Sequence, residues 1–263
     1  MGGARLEWRD SGGAGRPVVL LHGLAGCGGE WEPVARELGR RGLRVVCLDL
    51  RGHGGSERWP AEVSPEAVAG DVAAVCGELG LRRPVLVGQS LGGVTALLAA
   101  VGARESVGGL VLVESAPGGP DPSRAGRVAR WLEGWPVPFR DRAAAVEFFG
   151  GGPVGEVWAA GLAEGPDGLR PRFDPEVLVA MVRGYAERDW MPVWRRVECP
   201  VLVVFGQGGV VPGDVMDAMS RARPGSWAVS VPGAGHDLHL ERPGALAELL
   251  TSFVSGSQGP NTR

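Results

Sequence analysis

One stretch constrains this fold more than any other: Val85-Leu86-Val87-Gly88-Gln89-Ser90-Leu91-Gly92-Gly93. Val85 to Val87 is a short apolar run of the kind buried in a sheet. Val94 to Ala100 continues as an apolar helix. Between them lies G-x-S-x-G, centred on Ser90. A strand that turns sharply into a helix at this serine lifts its hydroxyl above the sheet edge. Gly88 and Gly92 take side chains out of a turn too tight to hold them. The amide N–H of Leu91 is then left free at a helix start. A serine in an ordinary glycine-rich loop would carry the same five letters. The apolar strand before it and the helix after it favour the elbow.

The rest of the chain repeats that unit. Arg5 to Arg9 reads as an opening strand, and Val18 to Leu21 as a buried one ending at His22-Gly23. Trp31 to Arg41 is helical, and Arg44 to Leu48 is a strand ending at Asp49. Ser64-Pro65 caps a helix whose Val68, Val72, Val75 and Leu79 fall on one face. Val107 to Val113 is a strand ending at Glu114. Val201 to Phe205 and Trp227 to Val231 are later strands, and a last helix follows Pro243. Continuous apolar strands alternating with amphipathic helices predict an α/β fold with a mainly parallel sheet covered on both faces. Ligands in such sheets bind at the carboxyl ends of the strands. His22, Asp49, Ser90 and Glu114 all stand at such ends.

The rhythm breaks between Ala116 and Val197, where no strand is predicted. Helical patterns fill the gap at Arg124 to Glu133, Arg142 to Phe149, Val154 to Leu162 and Pro175 to Glu187, the last capped by Asp174. The expected organisation is a core of residues 1–115 and 198–255, a helical lid of 116–197 inserted over the carboxyl edge, and a flexible tail of 256–263. Five of the nine tryptophans lie in the insertion: Trp131, Trp135, Trp158, Trp190 and Trp194. Singly, each fits the core of a small helical cap. Together they suggest an apolar, aromatic-lined pocket, with Trp131, Trp135, Trp158 and Trp190 as candidate substrate-binding residues.

Composition removes several classes of function. A net charge of −3 gives no sign of nucleic-acid or anionic-membrane binding. No apolar run reaches membrane-spanning length and no apolar leader is visible, so a cytoplasmic protein is expected. The chain contains no lysine, which excludes Schiff-base and lysine general-base chemistry. Cys27, Cys47, Cys76 and Cys199 form no C-x-x-C pair and read as free thiols. Cys27 stands in a glycine-rich loop near the expected site. The four histidines lack metal-ligand spacing. Neither a metal nor a cofactor is implied, and the partner is a small apolar substrate. The oligomeric state is not legible.

With these pieces placed, the chain resembles the α/β-hydrolase superfamily from about Arg5 to Val254. Four features stand in the family's order: Leu20-Leu21-His22-Gly23-Leu24, Asp49-Leu50-Arg51-Gly52-His53-Gly54, the elbow around Ser90, and Gly233-Ala234-Gly235-His236. The resemblance implies a mostly parallel eight-stranded sheet with a lid after the sixth strand. It also implies an oxyanion hole at the backbone N–H groups of Leu91 and Leu24. A serine hydroxyl needs a neighbouring base. His236 is the best placed, since its loop follows the last strand and should fold back over Ser90. His239 is a rival, His22 reads as a brace, and His53 as a turn residue.

The chain departs from the family at the third position. The usual acid lies after the penultimate strand, commonly as G-x-x-D. Here that loop reads Gly206-Gln207-Gly208-Gly209-Val210-Val211-Pro212, with Gly209 in the acid's place. Glu114, at the end of the strand after the elbow, is the natural substitute. Asp214 is a second candidate, and a site with no acid a third. Glu114 also fits a strand-end carboxylate that binds lid backbone. The expected activity is hydrolysis of a carboxylic ester, lactone or thioester by Ser90, His236 and Glu114. Two rivals remain. One is a lyase, C–C hydrolase or cyclase on the same fold. The other is a binding protein with a vestigial site.

Overall fold

The computed structural model describes residues 3–256. In chain order the elements are β1 (Glu7–Asp10), β2 (Pro17–Leu21), α1 (Glu32–Arg40), β3 (Arg44–Asp49), α2 (Pro65–Glu78), β4 (Val85–Gln89), α3 (Leu91–Gly102) and β5 (Gly109–Val113). Then follow α4 (Arg124–Glu133), α5 (Arg142–Phe148), α6 (Gly152–Ala160), β6 (Ala163–Gly165), β7 (Gly168–Arg170), α7 (Pro175–Ala186) and α8 (Met191–Trp194). The chain closes with β8 (Val201–Gly206), α9 (Gly213–Ala222), β9 (Trp227–Val231), α10 (Leu238–Glu241) and α11 (Pro243–Gly256).

The main sheet runs β1-β3-β2-β4-β5-β8-β9, with only β1 antiparallel to its neighbour. The apolar strands sort their side chains onto two faces by simple alternation. Val19, Leu21, Leu86, Leu110 and Leu112 pack beneath α2 and α3. Val18, Leu20, Val85, Val87 and Val111 pack against α1 and α11. That is why these strands read as unbroken hydrophobic runs. Ser64 Oγ accepts the Ala67 N–H at 3.2 Å and starts α2, as its sequence predicts. Asp174 does the same for α7, accepting the Glu176 N–H at 2.9 Å.

Three expectations need correction. The main sheet has seven strands among the described residues, not eight. Seven extended runs are legible in the sequence, and the eighth came only with the resemblance. The insertion therefore follows the fifth strand rather than the sixth. Nor is the insertion wholly helical, since β6 and β7 pair as a hairpin around Gly165-Pro166-Asp167-Gly168. Its Pro-Asp-Gly turn is a legible signal, but two strands of three residues each are too short to show a period. Gly256 of the expected tail ends α11, and 257–263 lie outside the described residues.

The inserted segment has a core of its own. Leu132, Trp135, Phe139, Phe173 and Leu178 cluster there and close over Ala25 of the main fold. The Trp135 ring meets those of Trp131, Phe139, Phe149, Trp158 and Phe173 at centroid distances of 5.0 to 6.3 Å. Among the described residues no helix is long and apolar enough to cross a membrane.

Candidate active site

The strand register decides which residues meet. Leu21 lies opposite Gly88, and Gln89 opposite Val113. His22, Ser90 and Glu114 therefore leave the sheet side by side at its carboxyl edge. Ser90 has φ 51° and ψ −117°, a strained conformation for a residue with a Cβ. A Cβ on Gly88 would lie 2.1 Å from the Gly92 carbonyl oxygen, so only glycine lets the strand and helix close at this bend. Ser115 Oγ donates to the Ser90 carbonyl at 2.6 Å and braces the turn from the neighbouring strand end.

Glu114 is also a non-glycine residue at positive φ, 46°. That backbone turn aims its buried side chain sideways, towards the loop after β8. Its Oε1 accepts the Gly206 N–H at 2.7 Å and its Oε2 the Val210 N–H at 2.9 Å. A Cβ placed on Gly209 would fall 2.1 Å from Glu114 Oε1 and 2.4 Å from its Cδ. The carboxylate thus fills the space that a side chain at position 209 would need. Burial pushes the Glu114 carboxyl up; His236 and the amides of Val210 and Gly206 outweigh it and hold the group below its ordinary value. Asp214 is exposed near the start of α9 and does not line the cavity that holds His236.

His236 arrives on the loop after β9, held beside the β8 loop by a Gly208 N–H to Ala234 O bond of 2.9 Å. Its Nδ1 lies 3.5 Å from Glu114 Oε2, close enough for an ion pair but long for a formed ring hydrogen bond. On the other side, Gln89 Nε2 donates to the His236 carbonyl at 3.0 Å and lies 3.2 Å from the ring Nε2. The carbonyl fixes which end of the Gln89 amide faces the histidine. An N–H facing Nε2 requires that nitrogen to accept, which leaves the ring proton on Nδ1, towards Glu114. This is the tautomer a general base needs. Ser90 Oγ makes no hydrogen bond to His236 in this state; such bonds are often loose until substrate binds.

His22 is the brace expected of it. Its Nδ1 donates to Gly23 O at 2.7 Å, and its Nε2 accepts the Leu50 N–H at 3.0 Å. The turn it fixes carries Leu24, whose amide, like that of Leu91, has no partner among the described residues. Asp49 is also a turn residue, accepting the amides of Gly28 at 2.5 Å and Gly55 at 2.7 Å. Burial and the nearby Glu30 and Asp49 push the Cys27 thiol up to about 12, which leaves it protonated.

A buried Glu30–His239 contact of 3.4 Å ties this turn to the chain just after His236. His239 packs on Trp31 at 4.7 Å, away from the Ser90 cavity. Burial raises Glu30 to about 7 and lowers His239 to about 4. Burial thus pushes both partners towards their neutral forms. With a folded pKa above the ordinary 4.5, Glu30 takes up a proton on folding between that value and about 7. Its contribution to stability falls as pH rises through that window and then levels off. Glu30→Gln, which copies the protonated form, is expected to gain stability over the parent by on the order of 2–3 kcal/mol above about pH 7 and almost nothing near pH 4. Urea unfolding across that range measures it.

Leu24, Ser90, Leu91, Glu114 and His236 share one cavity of about 360 Å³. Val94, Val128, Val182 and Val215 supply much of its wall. A model of the alpha/beta hydrolase family matches residues 18–249.

The chain belongs to that family.

The sn-1-specific diacylglycerol lipase ABHD11 of Mus musculus is 40% identical over 255 residues, covering 90% of this chain and 80% of the relative. The 2-(acetamidomethylene)succinate hydrolase of Mesorhizobium japonicum is 28% identical over 251 residues, 92% of this chain and 89% of the other. A crystal structure of E-2-(acetamidomethylene)succinate hydrolase superposes with a TM-score of 0.87 over 95% of each chain, at 25% identity. These relatives are hydrolytic enzymes by name, which supports hydrolysis by this family member.

The cavity of this α/β-hydrolase corrects the expectation of an aromatic pocket. None of Trp131, Trp135, Trp158 and Trp190 lines it; beyond its polar residues the wall is mainly aliphatic, with Tyr185 its one phenolic ring. Trp135 and Trp158 belong to the core of the insertion, and Trp131 is half exposed beside them. Trp190 is buried against Tyr185, donating its indole N–H to the Tyr185 carbonyl at 2.8 Å. The sequence reading assigned no role to three residues at this site: Gln89, Ser115 and Arg124. Gln89 alone had a legible clue, a polar side chain on the last residue of an otherwise apolar strand.

Proposed function

We propose that this protein is a serine hydrolase that cleaves a carboxylic ester, lactone or thioester of a mainly apolar substrate through an acyl-enzyme. The observation that carries the reading is the Glu114 carboxylate. It stands in the space beside Gly209 where the family's usual acid would be, 3.5 Å from His236 Nδ1, on a cavity that also holds Ser90.

In this reading Ser90 Oγ attacks the acyl carbon while His236 Nε2 takes its proton. Glu114 stabilises the imidazolium that forms. The amides of Leu24 and Leu91 hold the oxyanion, where one donor is typically worth about 10²–10³ in rate. The imidazolium returns its proton to the leaving oxygen or sulfur. A water then loses a proton to His236 and attacks the acyl carbon, releasing the acid and restoring Ser90. The inserted segment acts as a lid, since α4 and α7 contribute Val128 and Val182 to the cavity roof. The names of the relatives, a diacylglycerol lipase and a 2-(acetamidomethylene)succinate hydrolase, support hydrolysis without choosing among substrates.

Rapid mixing with p-nitrophenyl butanoate tests the reading. The expected result is a covalent butanoyl adduct on Ser90 in acid-quenched samples during turnover. Turnover with no adduct on any residue under single-turnover conditions would count against an acyl-enzyme.

A further inference from the structure

The cavity beside Ser90 contains one charge that the proposed reaction leaves idle. Arg124, the first residue of α4, lines it from the inserted segment, with its side chain about half exposed. Of the other charged groups on its wall, Glu114 is buried and held by two amides, and His236 faces it. Arg124 has no such engagement. Its nearest carboxylate is Asp121, 3.8 Å from Nε. Asp121 is already taken, by Arg127 at 2.5 Å and the Ser123 hydroxyl at 2.6 Å. Among the described residues the terminal nitrogens of Arg124 have no hydrogen-bond partner. Beyond that long ion pair through Nε, the half-exposed guanidinium fork has no partner on a wall that is otherwise largely aliphatic.

We propose that Arg124 reads a carboxylate on the substrate, at the end remote from the scissile acyl carbon. This rests on the reading of Ser90 as the group that acts at that carbon. The substrate class becomes an ester, lactone or thioester with a short apolar middle and one free carboxylate. A guanidinium fork matches a planar carboxylate in two parallel hydrogen bonds. A phosphate dianion would bring a second charge and a third oxygen. The neighbouring hydroxyls are committed elsewhere: Tyr185 to Thr95 at 2.7 Å and Ser115 to the Ser90 carbonyl at 2.6 Å. One cation with no further donor suits a monoanion. The cavity, about 360 Å³, also sits at the small end of ligand pockets.

Two pairs of chromogenic esters test this without assuming which side of the scissile bond carries the charge. Mono-p-nitrophenyl glutarate, with its methyl ester, puts the carboxylate on the acyl side. 4-Nitro-3-butanoyloxybenzoate, with its methyl ester, puts it on the leaving group. The parent enzyme is expected to prefer the acid in one pair by at least about tenfold in kcat/KM. Arg124→Met is expected to shrink that preference about 10–100-fold, through KM, as suits a hydrogen bond to a charged group. Arg124→Lys should retain part of it. No preference for either acid, or a preference untouched by Arg124→Met, would overturn the assignment. Competition by inorganic phosphate as strong as by glutarate would overturn the choice of carboxylate. Calorimetry with Ser90→Ala and one probe for each side, monomethyl glutarate and 3-butanoyloxybenzoate, separates this from the hydrolase reading. Binding lost in Ser90→Ala/Arg124→Met would sustain the carboxylate site even if no ester were turned over. Absence of binding of both probes to Ser90→Ala would overturn it.

Discussion

Ser90→Ala is expected to lower kcat on an activated ester by about 10⁶-fold, the scale seen when a triad serine is removed elsewhere. The fold should survive, because alanine keeps a Cβ at the same φ of 51° and the turn is held by backbone and by Ser115. Urea unfolding of the variant checks that point. His236→Gln should cost about as much, and the double variant little more than either single one, since the two side chains act on one proton. Additive losses would mean that serine and histidine work separately, as a lyase or cyclase mechanism allows.

Glu114→Ala should lower kcat by about 10³–10⁴-fold, as expected when a triad imidazole loses its acid. The lower end is the better expectation here, because Gln89 also holds the His236 tautomer through its contacts at 3.0 and 3.2 Å. The more specific result comes from position 209. Gly209→Asp alone should be damaging, because its Cβ would lie 2.1 Å from Glu114 Oε1. Added to Glu114→Ala, the same change puts a carboxylate into the space just vacated, and at least about tenfold of the lost kcat should return. Glu114 is held below its ordinary value, so its ionised form persists as pH falls below the usual carboxylate range. Whatever it contributes to stability is present above the unfolded pKa and is lost only as pH falls through that lower folded value.

Much of this was legible in the residues. The buried main strands announced themselves by apolar runs, though β1 (Glu7–Asp10) did not, the elbow by its glycines and flanks, and α2 and α7 by Ser64 and Asp174. The empty acid position at Gly209 was visible as well, and Glu114 could be named as its replacement. The geometry behind the replacement was not. It depends on a φ of 46° at Glu114, which no propensity foretells for a residue with a Cβ. The tryptophans misled for a related reason. Their number shows that the insertion is aromatic, but not which side of its helices faces the cavity. Arg124 was invisible among 27 arginines until packing placed it on the wall of the site.

The rate at which a fluorophosphonate labels Ser90, compared across the parent, Glu114→Ala, Gly209→Asp and the double variant, tests the relocated acid most directly. The account predicts an adduct on the Ser90 peptide of the parent, strongly slowed labelling in Glu114→Ala, and recovery in the double variant. An adduct elsewhere on the folded parent, or a Glu114→Ala variant labelled as fast as the parent, would contradict it.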